Sequence, residues 1–412
     1  MSGFQFEQSP WTCDGVLLDD IVREVGTPTY VYSGALVRAR VRALDSALGD
    51  HPHAVHYALK ANSTLALVRL LRDAGCRADA NAMGEIDVAL RAGFSPAEIV
   101  FTGVGKTSDE LERAVALGVG TINAESAGEL RRIDAMAHRL GRRARVAVRV
   151  NPDVDARSHP HISTGLRANK FGVAFEDIRP LCRWIMERER LNLGALHVHI
   201  GSQIATLEPV RRAAGAVSDL AVALRAEGIG LDTLDVGGGL GISYDGSPVP
   251  TLEAYAHALV DIVKPTGLTL VVEPGRSLVG PAGALLARVV DVKPRGHDRW
   301  CVVADAGMTE LLRPALYGAF HRIVADVPDA GSPVVCDIVG PVCESSDTLG
   351  ADRRLPLPEV GALLAVLDTG AYGSAMASNY NRRPMPAEVL VDGNWRVVRR
   401  RQTVDDMLAC EA

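Results

Sequence analysis

The sequence lacks the features that would place the protein outside a reducing compartment or in a membrane. Its seven cysteines are an odd number without a CxxC pair, which disfavours a disulfide framework and a zinc site. No apolar stretch approaches the ~18 residues that span a bilayer. The start, MSGFQFEQSP, has no basic segment followed by an apolar core, as a secretory signal would have. We therefore expect a cytoplasmic protein with no membrane partner.

A surplus of basic residues is also missing. The 412 residues carry a formal net charge of -6, which argues against a general nucleic-acid binder. The apolar fraction of 47% and the charged fraction of 23% are those of an ordinary globular protein. Composition thus favours an enzyme that acts on a small molecule, in a chain long enough for two or three domains.

Short apolar runs alternate with longer segments of helical spacing from about residue 52 onward. The strand-like runs span 54–60, 76–80, 98–103, 119–124, 145–151, 195–201, 231–239 and 268–275. Strict alternation predicts a parallel sheet, and eight repeats in ~220 residues predict closure into a (β/α)8 TIM-like barrel. Two Rossmann-like halves would need G-x-G-x-x-G after the first strand, where Lys60 stands instead. In the segment SDELERAVALG, Ser108 is predicted to cap a helix.

The pattern changes after Gly280, where Val-rich strand-like runs are separated by Gly, Pro and Asp turns with little helix between them. We predict an α/β barrel over 33–280 and a C-terminal all-β domain over 281–412. Residues 1–32 cannot form a core alone, so we expect them to pack on the β domain.

Polar residues and glycines fall at the predicted carboxyl ends of several barrel strands, where the chemistry of such barrels is located. These residues are Lys60, Asp79, His199, the glycines after Val236, and Glu273. The stretch DVGGGLGIS offers bare backbone N–H groups to an anion, and EPGRS adds Gly275 and the guanidinium of Arg276. Loops after the seventh and eighth strands often bind phosphate in such barrels.

A metal site is the alternative for the histidines of HVHIGSQ, where His197 and His199 alternate along the sixth strand. His159 and His161 would be the further ligands, but no carboxylate stands at ligand spacing nearby. We therefore expect no metal, and instead a histidine packed on a flat ring with Ser202 donating to a phosphate.

An amine, a phosphate site and a strand-end carboxylate together meet the needs of pyridoxal 5'-phosphate. The Lys60 amine would form a Schiff base with the aldehyde. The Glu273 carboxylate would keep the pyridine nitrogen protonated, which makes the ring a strong electron sink.

Several separated motifs, in order, carry a resemblance to a known family. They are YALKANS, HVHIGSQ, DVGGGLG, EPGRS, GPVCESSD and GAYGSAMASNYN. Together they resemble the fold-type III pyridoxal-phosphate-dependent decarboxylases, which have an alanine-racemase-like fold. The likeness runs from about residue 27 to 392, and the stretch 149–173 is similar to the active-site loop of that family.

The resemblance implies roles for individual residues. Lys60 would be the Schiff-base lysine with Asp79 close to it, and His199 would stack on the cofactor whose pyridine nitrogen meets Glu273. The phosphate would be surrounded by Ser202, Gly238, Gly239, Gly275, Arg276 and Tyr372. The substrate would contact Arg276, Arg313, Tyr317, Glu344 and Tyr372. Cys343 would donate a proton to the carbanion, and Cys343 and Glu344 would come from the second subunit of a homodimer.

The motifs are most similar to family members that decarboxylate meso-2,6-diaminopimelate to L-lysine and CO2, the last step of lysine biosynthesis. The alternatives are a decarboxylase of ornithine, arginine, carboxynorspermidine or a carrier-bound amino acid, an amino-acid racemase on a similar barrel, and a binding or regulatory protein with a disabled site. One position departs from the family pattern, because Ser346 replaces a common glycine. If that position requires a positive φ, the serine Cβ would cost about 1 kcal/mol.

Overall fold

The computed structural model describes residues 3–7, 9–156, 164–166, 169–296, 299–327 and 331–411. The chain divides into two compact units. The β unit comprises Met1–Ala39, Ser243–Ser247 and Leu278–Ala412, and the barrel unit comprises Arg40–Ile242 and Pro248–Ser277.

The β unit begins with a small antiparallel sheet, a helix and a buried strand. In chain order these are β1 (Phe4–Gln5), β2 (Thr12–Cys13), β3 (Val16–Leu17), α1 (Leu18–Val25) and β4 (Thr29–Ser33). One face of α1 is buried through Leu18, Ile21 and Val22, whose spacing of three to four residues places them on the same side of the helix.

Eight parallel strands form the closed barrel, which confirms the predicted fold class. They are β5 (His53–Ala58), β6 (Arg77–Ala80), β7 (Ile99–Phe101), β8 (Thr121–Ala124), β9 (Ala144–Asn151), β11 (Leu191–His197), β12 (Thr233–Asp235) and β13 (Thr269–Val272). The short strand β10 (Val173–Ala174) pairs with β9. Pairing of β13 with β5 and of β8 with β9 completes the ring. All eight predicted strands exist.

Helices precede, connect and follow the barrel strands. They are α2 (Gly34–Leu48), α3 (Leu65–Asp73), α4 (Met83–Ala92), α5 (Ser108–Leu117), α6 (Ala127–Leu140), α7 (Phe175–Met186), α8 (Leu207–Ala226), α9 (Leu252–Val263) and α10 (Arg276–Val279). The prediction that Ser108 caps α5 is wrong by one residue. Thr107 is the cap: its Oγ1 accepts the N–H of Glu110, whose carboxylate accepts the N–H of Thr107.

The rest of the β unit is built from strands with two short helices. They are β14 (Gly283–Pro294), β15 (Arg299–Ala304), α11 (Arg313–Tyr317), β16 (Ile323–Ala325), β17 (Val334–Val339), β18 (Thr348–Leu355), β19 (Leu363–Val366), β20 (Ala387–Asp392), β21 (Asn394–Arg399) and α12 (Val404–Leu408). The N-terminal strand β4 lies between β14 and β20 in one sheet. Trp11 and Ile21 share a buried cluster with Leu286 and Val389, so the N-terminal residues are part of this core. Across the described residues, no helix has the length and apolar character needed to cross a bilayer.

Candidate active site

Lys60 stands in a 3-10 turn, Leu59–Ala61, that follows the first barrel strand. Leu59 and Ala61 are fully buried, whereas the Lys60 side chain is 33% exposed. The Tyr57 hydroxyl donates to the carbonyl of Asn62 at 2.9 Å and fixes the end of the turn. The backbone therefore presents this ammonium at the carboxyl end of β5, where the sequence predicted it.

Two side chains from the next strand meet the Lys60 ammonium. Nζ donates to Asn81 Oδ1 at 3.2 Å and lies 3.6 Å from Asp79 Oδ2. The Asn81 amide also donates to both oxygens of Asp79 at 3.2 Å, so the three groups form one network. Sequence reasoning placed Asp79 here but missed Asn81, two residues further along the same strand end.

Asp79 is fully buried inside the barrel. Burial and the negative charge of Glu273 raise the pKa of Asp79, while the Lys60 ammonium opposes that shift. The lysine is thus a counter-ion for carboxylates that the barrel has removed from water.

His199 is held as a neutral ring. Its Nδ1 accepts the backbone N–H of Gly238 at 3.1 Å, which a protonated nitrogen could not do. Burial and the nearby charges of Lys60 and Arg149 hold the pKa of His199 well below its ordinary value. The Thr164 hydroxyl donates to the His199 carbonyl at 2.8 Å and fixes the backbone. A fixed, uncharged imidazole suits packing against a flat aromatic group.

The three glycines after β12 are sterically required. A Cβ on Gly237 would lie 2.5 Å from the Val198 carbonyl, and one on Gly239 would lie 2.9 Å from Ile204 Cδ1. A Cβ on Gly238 would collide with the Glu273 carbonyl. Gly237 and Gly239 also have positive φ values, +67° and +108°. The segment therefore brings bare backbone close to the loops after β11 and β13.

Arg276 and Ser202, which follow the barrel strands on either side of this glycine segment, contact each other. Arg276 is 6% exposed, and its Nη2 donates to Ser202 Oγ at 3.1 Å. Gly275 packs on the Lys60 turn, where a Cβ would lie 2.9 Å from Ala61 Cβ. A guanidinium, a hydroxyl and a glycine loop are the donor set that binds a phosphate group.

Glu273 follows β13 directly and is 3% exposed. Its Oε2 lies 3.3 Å from His197 Nε2, whereas Oε1 meets no donor among the described residues when all carboxyls are ionised. Burial alone would raise the pKa of Glu273, but the charge and hydrogen bond of His197 together with Lys60 hold it below its ordinary range. An ionised, buried acceptor without a donor fits the protonated ring nitrogen of pyridoxal phosphate.

The fold brings together two residues that the sequence analysis left without a role. His197, Asp235 and Glu273 each offer an atom within 4.8 Å of the others. No carboxylate is close to His197 in the sequence, but two are close to it in the fold, because both acids come from other strands. His159 and His161, the other histidines weighed as ligands, lie outside the described residues.

Five of the predicted residues lie in the β unit. Arg313, at the start of α11, is 5% exposed; its Nη1 lies 2.6 Å from His321 Nε2, and its guanidinium stacks 4.7 Å from the Tyr244 ring. Tyr317 ends the same helix and is half-buried. Stacking fixes the plane of the Arg313 guanidinium, which suits it to bind a carboxylate in two parallel hydrogen bonds.

Cys343 and Glu344 are both exposed in the turn between β17 and β18. The expected strain at Ser346 is wrong, because Ser346 is not among the described non-glycine residues with positive φ. Its hydroxyl instead donates to Glu344 Oε1 at 2.5 Å. The departure from the family glycine therefore adds a hydrogen bond to a predicted substrate residue at no backbone cost.

Tyr372 adopts a left-handed backbone conformation, with φ of +57°. Such a conformation is uncommon for a bulky side chain, costs about 1 kcal/mol or more, and is concentrated at functional sites. The neighbouring Gly373 packs against the Tyr30 ring, where a Cβ would lie 2.8 Å from the hydroxyl. The turn is therefore tightly packed around a strained tyrosine.

A family model and several curated relatives match this chain. Residues 35–280 match the model described as pyridoxal-dependent decarboxylase, pyridoxal binding domain. Diaminopimelate decarboxylase from Pseudomonas aeruginosa is 45% identical over 413 residues, covering 100% of this chain and 99% of that protein. The enzyme of the same name from Neisseria meningitidis is 45% identical over 400 residues, covering 97% and 98%. The chain belongs to the diaminopimelate decarboxylase family.

Solved structures of family members have the same fold. Diaminopimelate decarboxylase from Helicobacter pylori, complexed with L-lysine, superposes with a TM-score of 0.92 at 40% identity, covering 96% of this chain and 99% of that one. The M. jannaschii enzyme in co-complex with L-lysine gives 0.94 at 36% identity, covering 100% and 98%.

Membership of the diaminopimelate decarboxylase family confirms two predictions of the sequence analysis, one made from the residues and one from the family resemblance. The protein is a pyridoxal-phosphate-dependent carboxy-lyase, and its cofactor is pyridoxal 5'-phosphate. This excludes two of the alternative functions, an amino-acid racemase and a binding protein with a disabled site. The buried Oε1 of Glu273 and the glycine segment, both observed in the barrel, fit that cofactor.

Proposed function

We propose that the protein decarboxylates meso-2,6-diaminopimelate at its D centre, releasing CO2 and L-lysine in the last step of lysine biosynthesis. The similarity over the whole chain to decarboxylases named for this substrate carries the proposal. The L-lysine in the related H. pylori and M. jannaschii structures supports the product. Decarboxylation of another basic amino acid is the alternative to be tested.

Residues of the barrel unit, with Tyr372 of the β unit, would hold the cofactor. Lys60 binds it covalently through Nζ, and Asp79 and Asn81 keep that nitrogen in place. The neutral ring of His199 would pack against the flat ring of the cofactor. The phosphate is held by Ser202, Gly238, Gly239, Gly275, Arg276 and Tyr372. Because the N–H of Gly238 is engaged by His199, Gly238 contributes space for the phosphate rather than its amide.

Glu273 is proposed to hold the proton on the ring nitrogen. When bound, pyridoxal phosphate accepts the electron pair left behind as the carboxylate departs. Ionisation of Glu273 keeps the ring nitrogen protonated and so strengthens that acceptance. Cys343 then gives a proton to the substrate α-carbon.

The distal end of the substrate carries an amino group and a carboxylate. Arginine forks bind a carboxylate through two parallel hydrogen bonds, a role we assign to Arg276 and to Arg313. Tyr317 and Tyr372 offer hydroxyl groups, and Glu344 offers a negative charge to the distal ammonium. The hydrogen bond from Ser346 orients the Glu344 carboxylate.

A substrate panel tests this assignment. CO2 release is measured with meso-, LL- and DD-diaminopimelate, L-lysine, L-ornithine and L-arginine at equal concentrations. We expect kcat/KM for the meso isomer to exceed the values for L-lysine, L-ornithine and L-arginine by at least about 100-fold, because groups built to bind the distal head are left unpaired by analogues that lack it. A higher value with ornithine or arginine would refute the substrate and leave the carboxy-lyase class intact.

We also propose that the enzyme is a cytoplasmic homodimer with shared sites, in which Cys343 and Glu344 serve the barrel of the other subunit. Exposure of both side chains on a turn supports this arrangement.

Subunit mixing tests shared sites. Lys60→Ala and Cys343→Ala proteins, each inactive alone, are mixed under conditions that exchange subunits. Half of the dimers would then be mixed, with one intact site of two, so roughly a quarter of wild-type activity should return. No recovery, despite exchange shown by native mass spectrometry, would refute shared sites.

A further inference from the structure

The barrel holds a second layer of titratable groups behind Glu273. His197, the last residue of β11, is fully buried, and its Nε2 lies 3.3 Å from Glu273 Oε2. Asp235, the last residue of β12, is 3% exposed and reaches the same cluster, whose ligand-type atoms all lie within 4.8 Å of one another. Neither residue was assigned a role by the motifs.

The contacts of Asp235 divide its two oxygens. Oδ1 accepts the backbone N–H of Gly237 at 2.9 Å, at the start of the glycine segment. A carboxylate oxygen of Asp235 also lies within 4.8 Å of the nearest ligand-type atoms of Glu273 and His197. Two carboxylates can share a hydrogen bond only if one of them carries a proton, and like charges this close in a buried site do not both ionise.

The geometry favours a proton on Asp235, because Glu273 is the acid that lies 3.3 Å from His197 Nε2. Burial and the charge of Glu273 raise the pKa of Asp235 well above its ordinary value, whereas His197 and Lys60 lower that of Glu273. Three other titratable groups interact electrostatically with this pair, namely His199, Asp79 and His56. Tyr255 also faces the pair, and its pKa is raised by burial and by the charges of Asp235 and Glu273.

We propose that His197 and a protonated Asp235 are positioning residues that keep Glu273 ionised and aligned toward the ring nitrogen of the cofactor. His197 Nε2 lies within hydrogen-bond distance of Glu273 Oε2, and a proton on Asp235 would offer the carboxylate a second donor; such bonds stabilise the charged form of a buried acid. Without them the pair formed by Glu273 and the ring nitrogen would move its proton onto the carboxylate, because burial disfavours two separated charges. The proposal rests on the function proposed above.

Two variants of Asp235 test whether this residue acts as a hydrogen-bond donor to Glu273 or only supports the local structure. In Asp235→Asn, Oδ1 can still accept from Gly237 and the amide can still donate to Glu273, so this variant should behave like the wild type. Asp235→Ala removes the donor. We expect it to bind pyridoxal phosphate about 10- to 100-fold more weakly. This is the loss typical when a residue that hydrogen-bonds a metal ligand is removed, and we expect a similar loss for a residue that hydrogen-bonds a cofactor ligand.

His197 provides an independent test that leaves the Gly237 contact untouched. His197→Gln retains an N–H near the position of Nε2, whereas His197→Leu fills similar space without a donor. We expect the glutamine variant to bind the cofactor within about 3-fold of wild type and the leucine variant to weaken binding about 10-fold or more. Thermal unfolding of each apo protein shows whether it is folded.

Two spectroscopic measurements read the proposed protons directly. The infrared spectrum of the apo protein should contain a protonated carboxyl band that disappears in Asp235→Asn. The 15N chemical shift of labelled pyridoxal phosphate should report a protonated ring nitrogen in the wild type and in Asp235→Asn, and a shift toward the unprotonated value in Asp235→Ala and His197→Leu.

Equal 15N shifts in all folded variants, or an unchanged infrared band in Asp235→Asn, would overturn the inference. Neither result depends on which amino acid is the substrate. A failed substrate panel with these spectroscopic changes present would instead refute the proposed function and leave the roles of His197 and Asp235 standing.

Discussion

Lys60→Ala is expected to lower kcat by at least about 10⁴-fold and to abolish the visible absorbance of the covalently held cofactor. The reason is that no other described group stands where Lys60 does, at the end of β5 and 3.2 Å from Asn81 Oδ1. Without the amine, the cofactor loses its covalent anchor and the exchange partner that releases the product. Steady-state CO2 release and an absorbance spectrum of the dialysed protein measure the two effects.

Two control variants separate chemistry from charge and from general damage. Lys60→Arg keeps a cation beside Asp79 but cannot perform the exchange, so it should be as inactive as the alanine variant. Lys293→Ala removes an exposed lysine of the β unit, paired with Asp291, and should leave turnover unchanged. Borohydride trapping followed by peptide mass spectrometry should place the pyridoxyl label on Lys60. A label elsewhere, or turnover by Lys60→Arg, would contradict the assignment.

Glu273→Gln is expected to lower kcat by about 10²–10⁴-fold, the range of a positioned acid–base group, with a much smaller change in KM. The amide has the shape of the acid but no charge to keep the ring nitrogen protonated. His197 can still lie beside the amide oxygen, so the variant should remain folded. Single-turnover kinetics would measure the slowing of carbon–carbon bond cleavage itself.

Glu273→Asp provides the conservative comparison. It retains the charge but retracts the carboxylate by one methylene, so its activity should lie between those of the wild type and Glu273→Gln. If Glu273→Gln turned over at the wild-type rate, the reaction would not require a protonated ring nitrogen. The roles proposed for Glu273, His197 and Asp235 would then all be refuted.

Much of the barrel could be predicted because its signals are local. Each strand is an apolar run of a few residues, and each helix has an apolar face at a spacing of three to four. The strand ends were less accurate: 231–239 was predicted where β12 spans Thr233–Asp235. Val236 extends the apolar pattern by one residue past the strand, but Gly237 turns the chain away with a φ of +67°. Similarly, only the hydrogen bonds show that Thr107 rather than Ser108 caps α5.

The sequence by itself determined the barrel, the cofactor class and the residues at the strand ends, because alternation and strand-end polarity are read within a few neighbours. Tertiary structure alone decided which groups serve Glu273. Its partner His197 is 76 residues away in sequence, and Asp235 comes from the strand between them. No periodicity links such positions. They meet because parallel strands end on the same side of a closed barrel, and burial there turns ordinary acids and imidazoles into a coupled set of charges.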